Sequence, residues 1–242
     1  MRPRLFWIAV VAGLVLLSPQ AHAQPSPEWQ SCTGKPDVDW DQQIRSCSTL
    51  IESGRETSDK LAVAYNNRGI AYATKGDLDR AIADFSEAIR LDPKDAHAYN
   101  NRGSAYENKG DHDRAITDYD EAIRLDPKYA LAYNNRCWSR ALIGRDLDQA
   151  LADCNESLRL SPGYAEALNT RGFVQFKLGA FDRAIADYSA AIAKNAKDAG
   201  SLYARGVAKL RSGDTAGGEA DIATAKAIKA DIATVYAGYG VK

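Results

Sequence analysis

The sequence has few of the residues that metal or redox chemistry requires. Its 242 residues include one methionine, three histidines and four cysteines, and no two cysteines have C-x-x-C spacing. It contains no glycine-rich phosphate loop and no legible Ser/His/Asp arrangement, and His97 and His112 are the only histidines beyond residue 23. We therefore expect no catalytic residues, no bound metal and no cofactor, and an enzyme is the least favoured interpretation.

Charge of one sign is not in excess either. The formal net charge is −1, from 31 basic and 32 acidic residues, and it becomes −3 without Arg2 and Arg4. A chain without a basic surplus has little to attract nucleic acid or acidic lipid. Charged residues make up 26% and hydrophobic residues 45% of the chain, the balance of an ordinary soluble fold.

Long hydrophobic runs are also missing, apart from one near the start. Two arginines precede an apolar run of 13 residues, Leu5–Leu17, which is shorter than the about 18 residues needed to span a membrane. Ala21, His22 and Ala23 then form a small-x-small cleavage site. Residues 1–23 therefore predict a cleaved signal peptide. The mature chain is expected to begin near Gln24, without membrane insertion, in the periplasm or as a secreted protein.

The rest of the chain is repetitive. An arginine recurs at spacings of 34, 34, 35 and 34 residues, at Arg68, Arg102, Arg136, Arg171 and Arg205. A small residue follows each arginine by 13 residues, or by 14 in the third copy, at Ala81, Ala115, Ala150, Ala184 and Gly218. A fixed period in this range indicates a stack of similar units. The third copy carries one inserted residue, which we assign to Arg145 in its turn.

Each copy predicts two helices. In the first copy, a helical face over 62–75 ends at Gly76, and Asp77 can cap the next helix. Residues 78–90 carry apolar side chains at i, i+3 and i+4, and Pro93 ends the unit.

The repeated residues resemble the tetratricopeptide repeat family, whose pattern is W-x2-L-G-x2-Y, then A-x3-F, then P. The first copy fills six slots of this pattern with Tyr65, Gly69, Tyr72, Ala81, Phe85 and Pro93. Tyrosine replaces the family's Trp and Arg68 its Leu, and the fifth copy is degraded, with Gly217 and Gly218 opening its second helix. The resemblance implies an all-α, right-handed superhelical stack of antiparallel helix pairs.

The expected organisation has five repeats between two flanks. The repeats are 62–95, 96–129, 130–164, 165–198 and 199–229. Residues 24–60 are expected to be an extended segment followed by one capping helix over 41–53, and 230–242 to be a C-terminal cap.

An aspartate recurs on the second helix of every copy, at Asp84, Asp118, Asp153, Asp187 and Asp221. Residues equally far from the turn of an antiparallel hairpin face each other. We therefore predict that each aspartate forms an ion pair with the arginine of its unit, and the alternative is that the arginines contact a ligand.

The same geometry places Cys137 opposite Cys154 in the third hairpin, where the first two copies have Gly69 with Phe85 and Gly103 with Tyr119. We predict a disulfide between these two cysteines. A second pair, Cys32 with Cys47, then remains. Four cysteines allow three connectivities, and buried free thiols are the remaining alternative.

The resemblance implies that the first helix of each repeat lines the concave face of the superhelix. Asparagine recurs there at Asn67, Asn101 and Asn135, and in relatives that hold extended peptides an asparagine in this slot reaches the ligand backbone. An amide can donate and accept at once. The alternative is that asparagine belongs to a common, solvated form of the repeat.

Aromatic residues predict an anchor pocket further along the same face. Trp138, Phe173 and Phe176 are expected to cluster there and to bind a partner. The alternative is that their rings fill space left by Arg140 and Gln175, which replace packing tyrosines. The role of Arg140 is not explained by the sequence.

Another known mode of the family is not predicted. The clamp for the C-terminal carboxylate of heat-shock chaperones needs cationic side chains, and the corresponding slots hold Asn66, Asn100 and Asn134. We therefore expect a non-enzymatic, monomeric scaffold that binds a protein or an extended peptide in cell-envelope assembly or complex formation. The alternative from another class is a structural component that self-assembles through its end caps.

Overall fold

Helices account for nearly all of the computed structural model, which describes residues 26–34 and 38–241. The predicted signal peptide 1–23 lies outside the described residues. The described residues form thirteen helices and no strand: α1 Pro27–Cys32, α2 Trp40–Glu52, α3 Ser58–Thr74, α4 Leu78–Leu91, α5 Ala96–Asn108, α6 His112–Leu125, α7 Ala130–Ile143, α8 Leu147–Leu160, α9 Ala165–Lys177, α10 Phe181–Lys194, α11 Ala199–Ser212, α12 Thr215–Ile228 and α13 Ile232–Gly238. Helices α3 to α12 form five antiparallel pairs, which we call units 1 to 5. The all-α stack expected from the sequence is confirmed.

The turn inside each unit follows the predicted chemistry. In unit 1, Gly76 has a φ of 82°, a conformation that favours glycine, and the side chain of Asp77 accepts a hydrogen bond from the backbone N–H of Arg80. The turn of unit 3 spans three residues, 144–146, as the turn of unit 1 does, but two of them, Gly144 and Asp146, are left-handed, with φ values of 71° and 53°. Helix α7 ends one residue later relative to its arginine than α3 does, so the extra residue lengthens the first helix and not the turn.

Close contact between the two helices of a unit depends on a small residue. A Cβ atom at Gly69 would lie 2.7 Å from the ring of Phe85, which is fully buried. Unit 3 has Cys137 and Cys154 in these two slots, and their Cα atoms lie 5.6 Å apart. The structure joins these two cysteines as a disulfide, which fills the space that a glycine and an aromatic ring fill in unit 1.

Every unit is braced by the recurring arginine and aspartate. Arg68 donates from Nε and Nη2 to the two carboxylate oxygens of Asp84, at 2.8 and 2.9 Å. The same two-bond pairing occurs in Arg102–Asp118, Arg136–Asp153, Arg171–Asp187 and Arg205–Asp221. Hydrogen bonding to the buried carboxylate of Asp84 raises the pKa of Arg68 above its ordinary value. The predicted ion pairs are confirmed.

The same arginines also connect neighbouring units. Nη1 of Arg102 donates to Oγ of Ser86 on α4 at 3.1 Å, and Nη1 of Arg68 donates to Oγ of Ser48 on α2 at 2.8 Å. The partners in the later units are Asp120, Asn155 and Ser189. Each arginine therefore connects three helices, two in its own unit and the helix that precedes this unit in the chain.

The N-terminal flank differs from the expectation of an extended segment with a single helix. Residues 27–32 form the short helix α1, because Ser26 caps its first turn and Pro27 occupies its first position. Cys32 at its end is joined to Cys47 on α2. The flank is therefore a disulfide-linked helix pair that continues the stack, and not one capping helix alone.

The stack is curved, with the first helices on the inside. The first helices α3, α5, α7, α9 and α11 each contact the next one, whereas the second helices of successive units make no such contact within the described ranges. The first helices therefore form the concave face.

Candidate protein-binding face

The concave face has exposed, half-buried and buried positions that recur in each unit. The exposed position lies five residues before the arginine and holds Val63, His97, Leu131 and Glu166. The next two recurring positions form rows of side-chain amides. We call Asn66, Asn100, Asn134 and Asn169 the first amide row, and Asn67, Asn101 and Asn135 the second amide row.

The two amide rows bond to each other across the unit boundaries. Nδ2 of Asn101 donates to Oδ1 of Asn66 at 3.0 Å, and Nδ2 of Asn135 donates to Oδ1 of Asn100 at 3.1 Å. The second amide row, predicted from the sequence to bind peptide, therefore also helps to align units 1 to 3. Its members remain half-buried, so the row is part of the concave surface as well as of the stack.

The predicted aromatic cluster forms only in part. The ring centroids of Trp138 and Phe173 lie 5.1 Å apart, but Phe173 is only 1% exposed. Tyr239, just after α13, packs edge-on against Trp138 with centroids 5.4 Å apart and lies 6.3 Å from Phe173. The expected open pocket is therefore already filled by the chain's own tyrosine, which is a correction to the sequence-based interpretation.

Phe176 lies away from this cluster. Its ring packs edge-on against Phe181 at the start of α10, with centroids 5.5 Å apart. The ammonium group of the neighbouring Lys177 lies over the ring of Phe173, 5.0 Å from its centroid. Burial lowers the pKa of Lys177.

The C-terminal segment is more than the end cap expected from the sequence, because α13 packs on unit 5 while Tyr239, just after it, reaches Trp138 and Phe173 in units 3 and 4. Tyr236 packs against Tyr203 on α11 with centroids 5.4 Å apart, and Val241 is buried in the same cluster. These contact residues were missed from the sequence. The apolar spacing of Ile232, Val235, Tyr236 and Tyr239 at i, i+3, i+4 and i+7 is the signal that could have revealed them.

A cavity of about 480 Å³ lies on the concave face where units 3 and 4 meet α13. Its lining includes Trp138 and Asn134 from α7, Glu166 from α9, Asp198 before α11 and Tyr236 from α13. Burial raises the pKa of Tyr236 well above its ordinary value. Its hydroxyl therefore stays neutral, and the charges in the lining are the two carboxylates.

Arg140, unexplained by the sequence, has a structural role. Its Nη1 lies 2.5 Å from Oδ2 of Asp153, the aspartate that already pairs with Arg136. Lys209 occupies the corresponding position in unit 5 and lies 3.0 Å from Asp221. In these two units a second cation therefore reaches the aspartate from the next turn of the first helix.

A half-buried carboxyl group lies between units 2 and 3. Glu107 accepts a hydrogen bond from Ser139 Oγ at 2.5 Å and one from Tyr119 Oη at 3.4 Å. Burial raises the pKa of Glu107, and the two hydrogen bonds oppose this shift only in part. This carboxyl group therefore loses its proton at a higher pH than an ordinary glutamate does.

His97, one of the two histidines beyond residue 23, contacts the tyrosine that precedes α7. His97 Nδ1 lies 2.9 Å from Tyr129 Oη, and burial raises the pKa of Tyr129 to about 12. Within residues 26–34 and 38–241, no group of three or more His, Cys, Asp or Glu side chains could hold a metal ion. None of the helices described is long and apolar enough to cross a membrane.

Comparison with known proteins supports the repeat. A family model described as tetratricopeptide repeat matches residues 66–130 and 169–231, more than half of the chain. Comparison with curated proteins found no match.

Solved structures with the same fold include three of similar extent. The crystal structure of MamA is 23% identical, with a TM-score of 0.58, and covers 69% of this chain and 96% of its own. YrrB, a TPR protein with an unusual peptide-binding site, is 21% identical with a TM-score of 0.59, and the match covers 78% of this chain and 94% of YrrB. TTC0263, a thermophilic TPR protein of Thermus thermophilus, is 22% identical with a TM-score of 0.62, and the match covers 75% of this chain and 100% of TTC0263. At these identities the likeness concerns the fold.

Proposed function

Because the chain belongs to the tetratricopeptide repeat family, we propose that it is a non-enzymatic scaffold that holds a protein or an extended peptide against its concave face. One observation carries this proposal. The second amide row presents half-buried amides at regular intervals along units 1 to 3, beside the exposed Val63, His97 and Leu131. An extended peptide needs such alternating donors and acceptors for its backbone, together with apolar contacts for its side chains.

The open part of the face is polar with scattered apolar groups, and this suits a protein partner. Val63 is 46% exposed and Leu131 37% exposed, although both are large apolar residues. The peptide-binding site described for YrrB is consistent with this use of the fold. We place the partner along units 1 to 3, since these units carry the second amide row, whereas α13 packs against unit 5.

We further propose that the chain works outside the cytoplasm, in envelope assembly or complex formation. The pattern of residues 1–23 and the pairing of all four cysteines support export, since disulfides persist in oxidising compartments. N-terminal sequencing of the protein from fractionated bacterial cells should give a start near Gln24 in the periplasmic or secreted fraction. An intact N-terminus in the cytoplasmic fraction would contradict export.

The binding proposal is tested by affinity capture from envelope extracts with the immobilised chain 24–242. Beside it stands a variant with four alanines on the concave face, at Asn67, Asn101, Asn135 and Trp138. A matched control carries four alanines on the second helices, at the exposed ion pairs Glu87–Arg90 and Glu121–Arg124. We expect one partner to be retained by the native chain and the control and lost by the concave variant. Loss by the control alone would move binding to the second helices.

The chain is expected to be a monomer. A concentration series in analytical ultracentrifugation measures this directly. A mass that rises with concentration would favour self-assembly through the ends of the stack.

A further inference from the structure

The hydrogen bonds between the two amide rows stop at Asn134 in unit 3. Asn66 and Asn100 each accept a hydrogen bond from an asparagine of the next unit. In unit 4 the position of the donating asparagine is occupied by Thr170. Its hydroxyl donates to the backbone carbonyl of Glu166 at 2.9 Å and not to Asn134. Oδ1 of Asn134 is therefore left without a partner among the described residues, although the side chain is only 7% exposed.

A buried acceptor without a donor is rare in folded proteins, because its lost contact with water is not replaced. Asn134 is one of the residues that line the cavity of about 480 Å³ between units 3 and 4 and α13. A ligand that enters this cavity can supply the missing N–H. The volume lies within the range of about 300–1,000 Å³ found for small-ligand sites.

The charge of the cavity indicates which donor it would take. Its charged lining residues are Glu166 and Asp198. Asp198 is fixed by hydrogen bonds from the backbone of Gly200 at 3.0 Å and from Ser201 Oγ at 2.5 Å. Glu166 is exposed, and Arg171 on the same helix is paired with Asp187 instead. The cavity thus combines negative charge with an unpaired acceptor, which together favour a cationic donor.

Aromatic rings complete the site. Trp138 and Tyr236 line the same cavity, and an aromatic ring attracts a cation that lies over its face. Tyr236 belongs to α13, so the chain's own last helix supplies one wall of the site. The rings can also pack against an aliphatic stem, as the long side chains of lysine and arginine require.

We propose that this cavity binds the side chain of one lysine or arginine of the extended peptide that the concave face holds. Asn134 Oδ1 and the Glu166 carboxylate accept hydrogen bonds from the cationic head, and Trp138 packs against it. This inference rests on the proposed function and adds the charge of the ligand to it. Specificity here is for a basic side chain inside the peptide, and not for a terminal carboxylate.

Selection from a random peptide library displayed on phage tests the charge requirement. We expect the enriched peptides to share lysine or arginine at one fixed position. Enrichment of peptides that lack a basic residue would overturn the inference and leave the concave-face proposal standing. No enrichment at all, together with equal capture by the native chain and the concave variant, would overturn both.

Point variants then locate the basic side chain. The probe is the most enriched arginine peptide, and its twin carries citrulline, which has the same shape without the charge. For Glu166→Gln and for Asn134→Leu we expect binding of the arginine peptide to weaken roughly 10- to 100-fold, as for loss of a charge-assisted hydrogen bond. The citrulline peptide should bind the native chain and Glu166→Gln almost equally. Glu219→Gln, an exposed carboxylate on α12, is the matched control and should bind like the native chain.

Unchanged affinity of both variants for the arginine peptide would overturn the inference. Thermal unfolding of each variant shows whether the fold is intact. Glu166→Gln changes an exposed side chain without changing its shape, so its result stands even where Asn134→Leu is unstable.

Discussion

Replacing Asp118 with leucine is expected to destabilise the chain by roughly 3 kcal/mol, because it leaves the charge of Arg102 without its partner. Asp118 is 5% exposed and accepts two hydrogen bonds from Arg102, at 2.9 and 2.7 Å. The other contacts of this guanidinium group are a hydrogen bond to Ser86 and the ring of Tyr99, over which it lies at 5.7 Å. A neutral side chain at position 118 therefore removes most of the interactions that compensate for burying the arginine.

The size of this loss follows from the degree of burial. Removing one partner of a buried ion pair costs about 3–5 kcal/mol, whereas an exposed pair contributes about 0–1 kcal/mol. The side chain of Arg102 is 21% exposed, so its head can regain part of its hydration in the variant. The lower end of the buried range is therefore expected.

A double-mutant cycle separates this charge effect from packing. In Arg102→Met/Asp118→Leu both charges are replaced by apolar groups, and the double variant should be clearly more stable than the sum of the single losses predicts. Urea unfolding followed by far-UV circular dichroism measures the free energies. Arg145→Leu, which removes an ion pair between largely exposed side chains, is the control and should change little. A loss below about 1 kcal/mol for Asp118→Leu, or additive single losses, would refute the reasoning.

Three further expectations concern units 2 and 3 and the end of the chain. Replacing Cys137 and Cys154 by alanine should lower the free energy of unfolding by roughly 3 kcal/mol, because a loop spanning 17 residues is no longer closed; non-reducing peptide mapping should find this pair in the native chain, and an unchanged Tm under reduction would contradict the disulfide. Tyr239→Ala should shift the fluorescence of Trp138 to longer wavelength when the other tryptophans are replaced by phenylalanine, since it uncovers that ring; an unshifted spectrum would show that the tyrosine does not cover it. Glu107→Gln should gain stability relative to the native chain as the pH rises from 4 to 8. Burial raises the pKa of this carboxyl group, so the native chain loses stability as the pH rises through the raised value. Thermal unfolding at both pH values measures the difference, and an equal effect at both would contradict a raised pKa of Glu107.

Much of the fold could be predicted because each unit repeats the same local chemistry. Gly69 and Phe85 lie opposite each other because an antiparallel hairpin fixes which residues meet, and the same counting placed Arg68 beside Asp84. These contacts depend only on distance from the turn, and the sequence shows that distance directly.

Contacts between distant parts of the chain were harder to predict. Tyr239 lies 101 residues after Trp138 and has no counterpart in the repeat, so the period gives no information about its position. The sequence therefore predicted an open aromatic pocket where the structure has a covered one. Phe173 is buried in one cluster with Trp138 and Tyr239, and Tyr239 belongs to a segment outside the repeat.

The sequence predicted which face of the stack carries the candidate site, but it did not predict the contacts of the individual side chains. The row of Asn67, Asn101 and Asn135 was visible because it recurs. The bonds of the last two to Asn66 and Asn100 depend on the offset between neighbouring units, which the sequence does not state. The unpaired amide of the first row became visible only when that offset was known.

The central claim, that the partner lies along the concave face, is tested most directly by photo-crosslinking in living cells. A photoreactive amino acid is placed at Val63 or Leu131 on the concave face, or at Glu87 or Arg124 on the second helices, all of them in the folded chain with both disulfides intact. We expect a crosslinked partner of one mass from both concave positions and none from the second helices. Crosslinking of that partner from the second helices alone would contradict the account.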